Sequence, residues 1–114
     1  MTIEIVDLNA MEWTEVQASW PGKVAPGEPD VQYKPFTLGS ALVPGGQLVE
    51  YEPGHVENPH SHTESELFYI ISGGFSLGER SLTAGMLVHI PGGTVYGTTA
   101  GPEGTRFLRL HVET

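Results

Sequence analysis

A chain of 114 residues with 14 Asp and Glu against 5 Lys and Arg carries a formal charge of −9, so it lacks the basic surface by which proteins hold nucleic acid or anionic membranes. It contains no cysteine, which removes disulfide frameworks, thiolate metal sites and thiol nucleophiles together. The length suits one domain, residues 1–114, able to bury a core without cross-links.

Gly and Pro, 15 and 9 in number, punctuate short apolar runs. Both are costly inside helices, and this pattern belongs to all-β sandwiches and barrels. In chain order the runs predict strands at Ile3–Val6, Gln32–Leu38, Gln47–Tyr51, Ser65–Ile71, Phe75–Leu77, Ser81–Leu82, Met86–Ile90 and Arg106–Val112. Turns are expected at Pro44-Gly45-Gly46, Pro53-Gly54, Ser72-Gly73-Gly74 and Pro91-Gly92-Gly93. Met11–Ala18 suits a helical turn, and Trp20 to Pro29 a Pro/Gly loop. The acidic start of the chain has no basic leader region, and no apolar run approaches a membrane span. The expectation is a soluble, cytoplasmic protein.

The chemistry concentrates between Gly54 and Gly73. His60 and His62 share one face of an extended segment, because side chains repeat every two residues. Imidazole nitrogen and carboxylate oxygen are the donors first-row divalent metals accept, and two His with one carboxylate leave positions open for a water or a substrate. If the chain ran straight on, Glu64 and Glu66 would both share the histidine face. Glu66 opens the apolar run Leu67–Ile71, where a carboxylate must be solvated, paired or metal-bound, since burying an isolated charge is prohibitive. The plainer alternative is a pair of surface histidines at a strand end.

Gly54, His60, His62, Glu66 and Gly73 match the pattern G-x5-H-x-H-x3-E-x6-G without a gap, and Gly85, Pro91 and Gly93 match G-x5-P-x-G downstream. In these two motifs, residues 54–73 and 85–100, the chain resembles the cupin superfamily. The resemblance implies an all-β jelly roll, the double-stranded β-helix, with little helix. It implies one divalent metal ion per chain, Fe(II) favoured over Zn, Ni or Mn, held by His60, His62 and Glu66 rather than Glu64. The chain departs from the pattern at Tyr96, where the second motif has a metal-binding His, and at Ala100, where it has Asn. Tyr51–Gly54, Pro91–Tyr96 and Gly101–Leu108 are most similar to the zinc-binding cupin domains of some anti-sigma factors and to small-ketone dioxygenases.

Three roles stand open for Tyr96: a ligating phenolate, a hydroxyl bonded to a metal-bound water or substrate, or packing at the barrel mouth. His89, His55 and His111 are the candidate replacements for the missing imidazole, with His89 foremost. His111 points outward if the leucine face of its strand is the core. The resemblance favours a mononuclear non-haem oxygenase acting on a small carbonyl, enol or hydroxyl-bearing molecule. The alternatives are a non-redox isomerase or lyase with Tyr96 as acid or base, and a ligand-binding module without turnover. Trp13, Trp20, Tyr33 and Phe36 would suit a homodimer interface.

Overall fold

The computed structural model describes residues 3–15, 31–37 and 45–112. Among these residues eight strands form: β1 (Thr14–Glu15), β2 (Val31–Phe36), β3 (Gly46–Tyr51), β4 (Val56–His60), β5 (Ser65–Leu77), β6 (Arg80–Thr83), β7 (Leu87–Ile90) and β8 (Tyr96–Val112). Strands β1-β2-β3-β8-β5-β6 lie side by side, β4 adds to β8, and β7 adds to β5. All pairings are antiparallel. Strands β5 and β8, of 13 and 17 residues, serve both layers of the roll. The second half of β8 runs between β3 and β5, while its first half pairs with β4 and the far end of β5. Long strands shared in this way close a jelly roll. The all-β architecture is the one expected, with no α-helix among the described residues.

The core forms where inward residues of three strands meet. Phe107 of β8 is fully buried and meets Phe68, Phe75 and Tyr51 with ring centroids 5.0, 5.2 and 5.2 Å away. Ile70, Val49 and Val31 fill the space between the rings. Each such side chain contributes about 1.5–3 kcal/mol of transfer free energy.

The alternation along β8 therefore turns Phe107 and, two residues on at each step, Arg109 and His111 inward. The leucines at 108 and 110 lie on the other face and are only partly covered. The sequence expectation that placed His111 outside assumed the opposite face was the core. Large aliphatics on both faces hid the choice, and the aromatic at 107 decided it.

Several predicted elements are corrected. Ile3–Val6 forms no strand, and Ile3 and Ile5 are each 86% exposed. The helical turn expected over Met11–Ala18 occurs earlier, as a 3-10 turn at Leu8–Ala10 capped by the Asp7 carboxylate, which accepts from the Asn9 amide at 3.0 Å. Thr14–Glu15 pairs with β2 instead, and residues 16–18, the Trp20–Pro29 loop and Leu38 lie outside the described residues.

Ser72-Gly73-Gly74 is a bulge inside β5, so two predicted strands are one. Gly73 is required there: its φ is +66°, and a Cβ would lie 2.1 Å from the Gly104 carbonyl oxygen. A glycine signal marks positive φ, which a bulge needs as much as a turn does. Strand β4 went unpredicted because Asn58 and Pro59 interrupt it. Trp13, offered as an interface residue, stacks against cations of its own chain, with Lys34 Nζ 4.7 Å and the Arg106 guanidinium carbon 5.3 Å from its ring centre.

Candidate functional site

Strand β4 gains one residue relative to β8: Glu57 faces Thr98, whereas His60 faces Tyr96. That bulge, at Asn58-Pro59, re-aims His60 toward the interior, a common use of bulges near sites. Gly97 permits it, because a Cβ there would lie 2.8 Å from the Glu57 carbonyl oxygen and 3.1 Å from the Pro59 nitrogen. The turn before Tyr96 is clamped onto the segment carrying the histidines. The Gly93 amide donates to the His62 carbonyl at 2.8 Å, and the Gly92 amide donates to the Ser65 hydroxyl at 3.0 Å. The two sequence motifs are thus bonded to each other through backbone.

Four side chains converge at this end of the barrel. The His60 and His62 rings lie edge to face with centroids 4.8 Å apart, and His60 is 5.0 Å from the Tyr96 ring. Glu66 is 1% exposed, and its Oε1 accepts a 2.6 Å hydrogen bond from the Tyr96 hydroxyl. His62 Nε2 lies 3.9 Å from the same oxygen. His60 Nδ1 sits 2.7 Å from the Asn58 carbonyl oxygen. A carbonyl can only accept, so Nδ1 carries the proton and the Nε2 lone pair is free to bind. Fixing one ring nitrogen to backbone is the usual way a metal-binding His is held.

Two further residues face this chamber. His111 stands directly across the ladder from Glu66, its ring 6.4 Å from that of His62. Arg109 lies between, with Nε 3.9 Å from Glu66 Oε2 and 3.0 Å from the Gln47 side-chain oxygen. A basic residue alternating with Phe107 on the same face was the signal for Arg109, and sequence reasoning passed over it. Burial and the Glu66 carboxylate both hold the Tyr96 phenol in its protonated form, well above the usual tyrosine range. Burial, and then the Arg109 charge, push the His111 imidazole below its ordinary value.

The other candidates lie elsewhere. His89 is exposed: β7 turns Ile90 and Val88 inward, facing Glu66 and Phe68 across the ladder, and His89 away. His55 is buried but engaged elsewhere, stacked on Tyr51 at 4.7 Å and bonded through Nε2 to Glu57 at 3.1 Å. Of the two competing carboxylates, Glu66 faces the histidines from the first residues of β5, while Glu64 sits in the bend before it.

The donor set can be tested against a metal on its own polar atoms. His62 Nε2 and Glu66 Oε2 are buried and have no hydrogen-bond partner, and His111 Nδ1 shares this state. Buried polar atoms left unpaired cost about 1–3 kcal/mol each, so native structures rarely keep them without a reason. A divalent ion accepts electron pairs from imidazole nitrogen and carboxylate oxygen alike, and it would satisfy these atoms together. The residues fit such an ion in kind. Among the described residues, no three His, Asp or Glu side chains stand close enough together to hold a metal ion as they are placed; the Tyr96 hydroxyl holds one Glu66 oxygen instead.

Residues 47–111 match the family model described as "Cupin domain". The chain belongs to the cupin family. A curated relative, the dimethylsulfoniopropionate lyase DddW of Ruegeria pomeroyi, is 31% identical over 93 residues, or 75% of this chain. The chain spans 61% of that relative's length. Among solved structures, KdgF from Halomonas sp. superposes with a TM-score of 0.73 at 23% identity, covering 99% of this chain and 96% of that one. Rhodobacter sphaeroides SigE in complex with the anti-sigma ChrR gives a TM-score of 0.69 at 16% identity, covering 92% of this chain and 51% of the other. At such identities the structural likenesses speak for the cupin fold alone. No helix among the described residues is long and apolar enough to cross a membrane.

Proposed function

We propose that this cupin is a metal-dependent enzyme, with one divalent ion held by His60, His62 and Glu66. The observation that carries the reading is the pair of buried, unpartnered atoms, His62 Nε2 and Glu66 Oε2, beside an imidazole whose Nε2 lone pair is free. A bound ion of this kind supplies Lewis acidity toward a carbonyl or carboxylate oxygen. The chain's own residues do the rest. Asn58 orients His60 through Nδ1. Tyr96 keeps its proton and holds Glu66 Oε1 by a short hydrogen bond, which fixes the carboxylate's orientation. The aromatic layer of Phe68 and Phe107 beneath the site keeps bulk water from the inner side.

The reaction class favoured is non-redox, an elimination or isomerisation of a small organic molecule. Its support is the lyase activity named for the 31%-identical relative and a protonated phenol at the carboxylate. The oxygenase expected from the sequence draws on the same two-His, one-carboxylate set but gains nothing from that relative. Elemental analysis of protein purified without added metal tests the centre, and a metal-free native protein that also refuses divalent ions overturns it. Turnover of dimethylsulfoniopropionate and related small acids under strictly anaerobic conditions tests the reaction class. Turnover that requires dioxygen, with stoichiometric uptake, would establish the oxygenase instead.

A further inference from the structure

Arg109 is the one cation of the chamber, and its partners do not match its chemistry. Its side chain is 19% exposed, and both Nε and one terminal nitrogen donate to a single neutral acceptor, the Gln47 side-chain oxygen. A guanidinium presents donors in a planar fork suited to a carboxylate, and a largely buried one is ordinarily answered by an anion. Among the described residues, Glu66 is the one carboxylate in ion-pairing range of it, at 3.9 Å and without a hydrogen bond. Glu66 is already claimed by Tyr96 and, under the metal reading above, by the ion.

Charge balance makes the mismatch sharper. A divalent ion beside the Arg109 guanidinium, with Glu66 as the nearest carboxylate, would leave the chamber positive. Glu64 reaches His111 electrostatically from the rim, but it makes no ion pair with the guanidinium. A groove of about 460 Å³, lined by Gln47, His111, Phe36 and Gly46, adjoins the Arg109–Gln47 pair on its Gln47 side.

We propose that Arg109, oriented by Gln47, anchors a carboxylate of the substrate, so that the site selects small organic acids over their neutral analogues. This rests on the metal-dependent reading, and it adds the substrate class. The guanidinium edge not used by Gln47 binds the acid group, while the ion and Glu66 face the remainder of the molecule. The residue is a binding group and transfers no proton.

Propionate and propionamide, an acid and its neutral analogue, are titrated into metal-loaded wild-type protein, Arg109→Gln and Arg109→Lys. The ion content of every sample is measured alongside. Wild type is expected to bind propionate at least about tenfold tighter than propionamide, the size of one lost charge-assisted contact. Arg109→Gln is expected to bind the two alike while keeping its ion, and Arg109→Lys, which retains charge without the fork, to fall between. Equal binding in wild type, or an undiminished preference in Arg109→Gln, overturns the proposal. Should the glutamine variant not fold, the wild-type preference and Arg109→Lys decide the matter. Should wild type bind no ion, the metal centre fails on its own. The same titration of the metal-free protein then decides the anchor, which stands only if the preference is present and Arg109 variants lose it.

Discussion

Two clusters in the barrel carry nearly the same residue types and use them differently. In one, His55, Glu57 and Tyr51 close on one another: imidazole to carboxylate at 3.1 Å, imidazole on phenol ring at 4.7 Å. In the other, His62, Glu66 and Tyr96 meet, yet His62 Nε2 and Glu66 Oε2 stay buried and unpartnered. A His–Glu–Tyr cluster is therefore no mark of function in itself. The mark is polar capacity that the fold encloses and leaves unused, because burial without a partner is a cost that a purely structural cluster has no reason to bear.

The largest effects are expected from the histidines of the second cluster. His60→Ala and His62→Ala are expected to weaken divalent-ion binding by more than the roughly 10- to 100-fold typical of losing a mere outer partner of a ligand. Their urea midpoints should stay close to wild type, since neither ring belongs to the Phe107 cluster. Full ion content in either variant, by elemental analysis after dialysis, breaks the assignment. Glu66→Gln should lose the ion likewise, and Glu64→Gln should keep it. The reverse outcome would transfer the ligand role to Glu64.

His55→Ala should do the opposite. Removing a ring that is 2% exposed opens a cavity beside Tyr51 and deprives the Glu57 carboxylate of a partner. The expected loss is about 2–3 kcal/mol of unfolding free energy by chemical denaturation. Ion affinity should not move. An equal loss of ion in His55→Ala and His62→Ala would mean that the two clusters are not functionally distinct.

The same contrast explains what could be read from the sequence. His60, His62 and Glu66 were legible because ligand spacing and period-two alternation are local properties. The bonding of the two motif turns, Gly93 to His62 and Gly92 to Ser65, gives that spacing its spatial sense. Arg109 and His111 were not legible. Their direction depends on which face of β8 is the core, and Leu108 and Leu110 argued for the wrong one until Phe107 was seen buried. His89 misled for a related reason, since Leu87 on its own face is 76% exposed, an aliphatic that covers no core. The single strand β5 was broken into two by Ser72-Gly73-Gly74, because composition marks a left-handed glycine without telling a bulge from a turn.

The smallest effect, and the finest test of the comparison, lies at Tyr96. Its hydroxyl gives the Glu66 carboxylate the one hydrogen bond it has among the described residues, at 2.6 Å. The ring packs against the core independently, 6.3 Å from Phe68. Tyr96→Phe preserves the ring and deletes only the donor, so stability should fall by about 1 kcal/mol, the net worth of one hydrogen bond. Ion binding should persist, because the phenol is protonated and is not among the proposed donors. Turnover should drop by about tenfold if the hydroxyl keeps Glu66 oriented, since about 1.4 kcal/mol of lost positioning corresponds to that factor. Tyr96→His places an imidazole where the second motif carries one and should tighten ion binding, measured by chelator competition. Unchanged turnover in Tyr96→Phe together with unchanged ion affinity in Tyr96→His would reduce Tyr96 to packing and return the choice of further donor to His111, whose buried Nδ1 still lacks a partner.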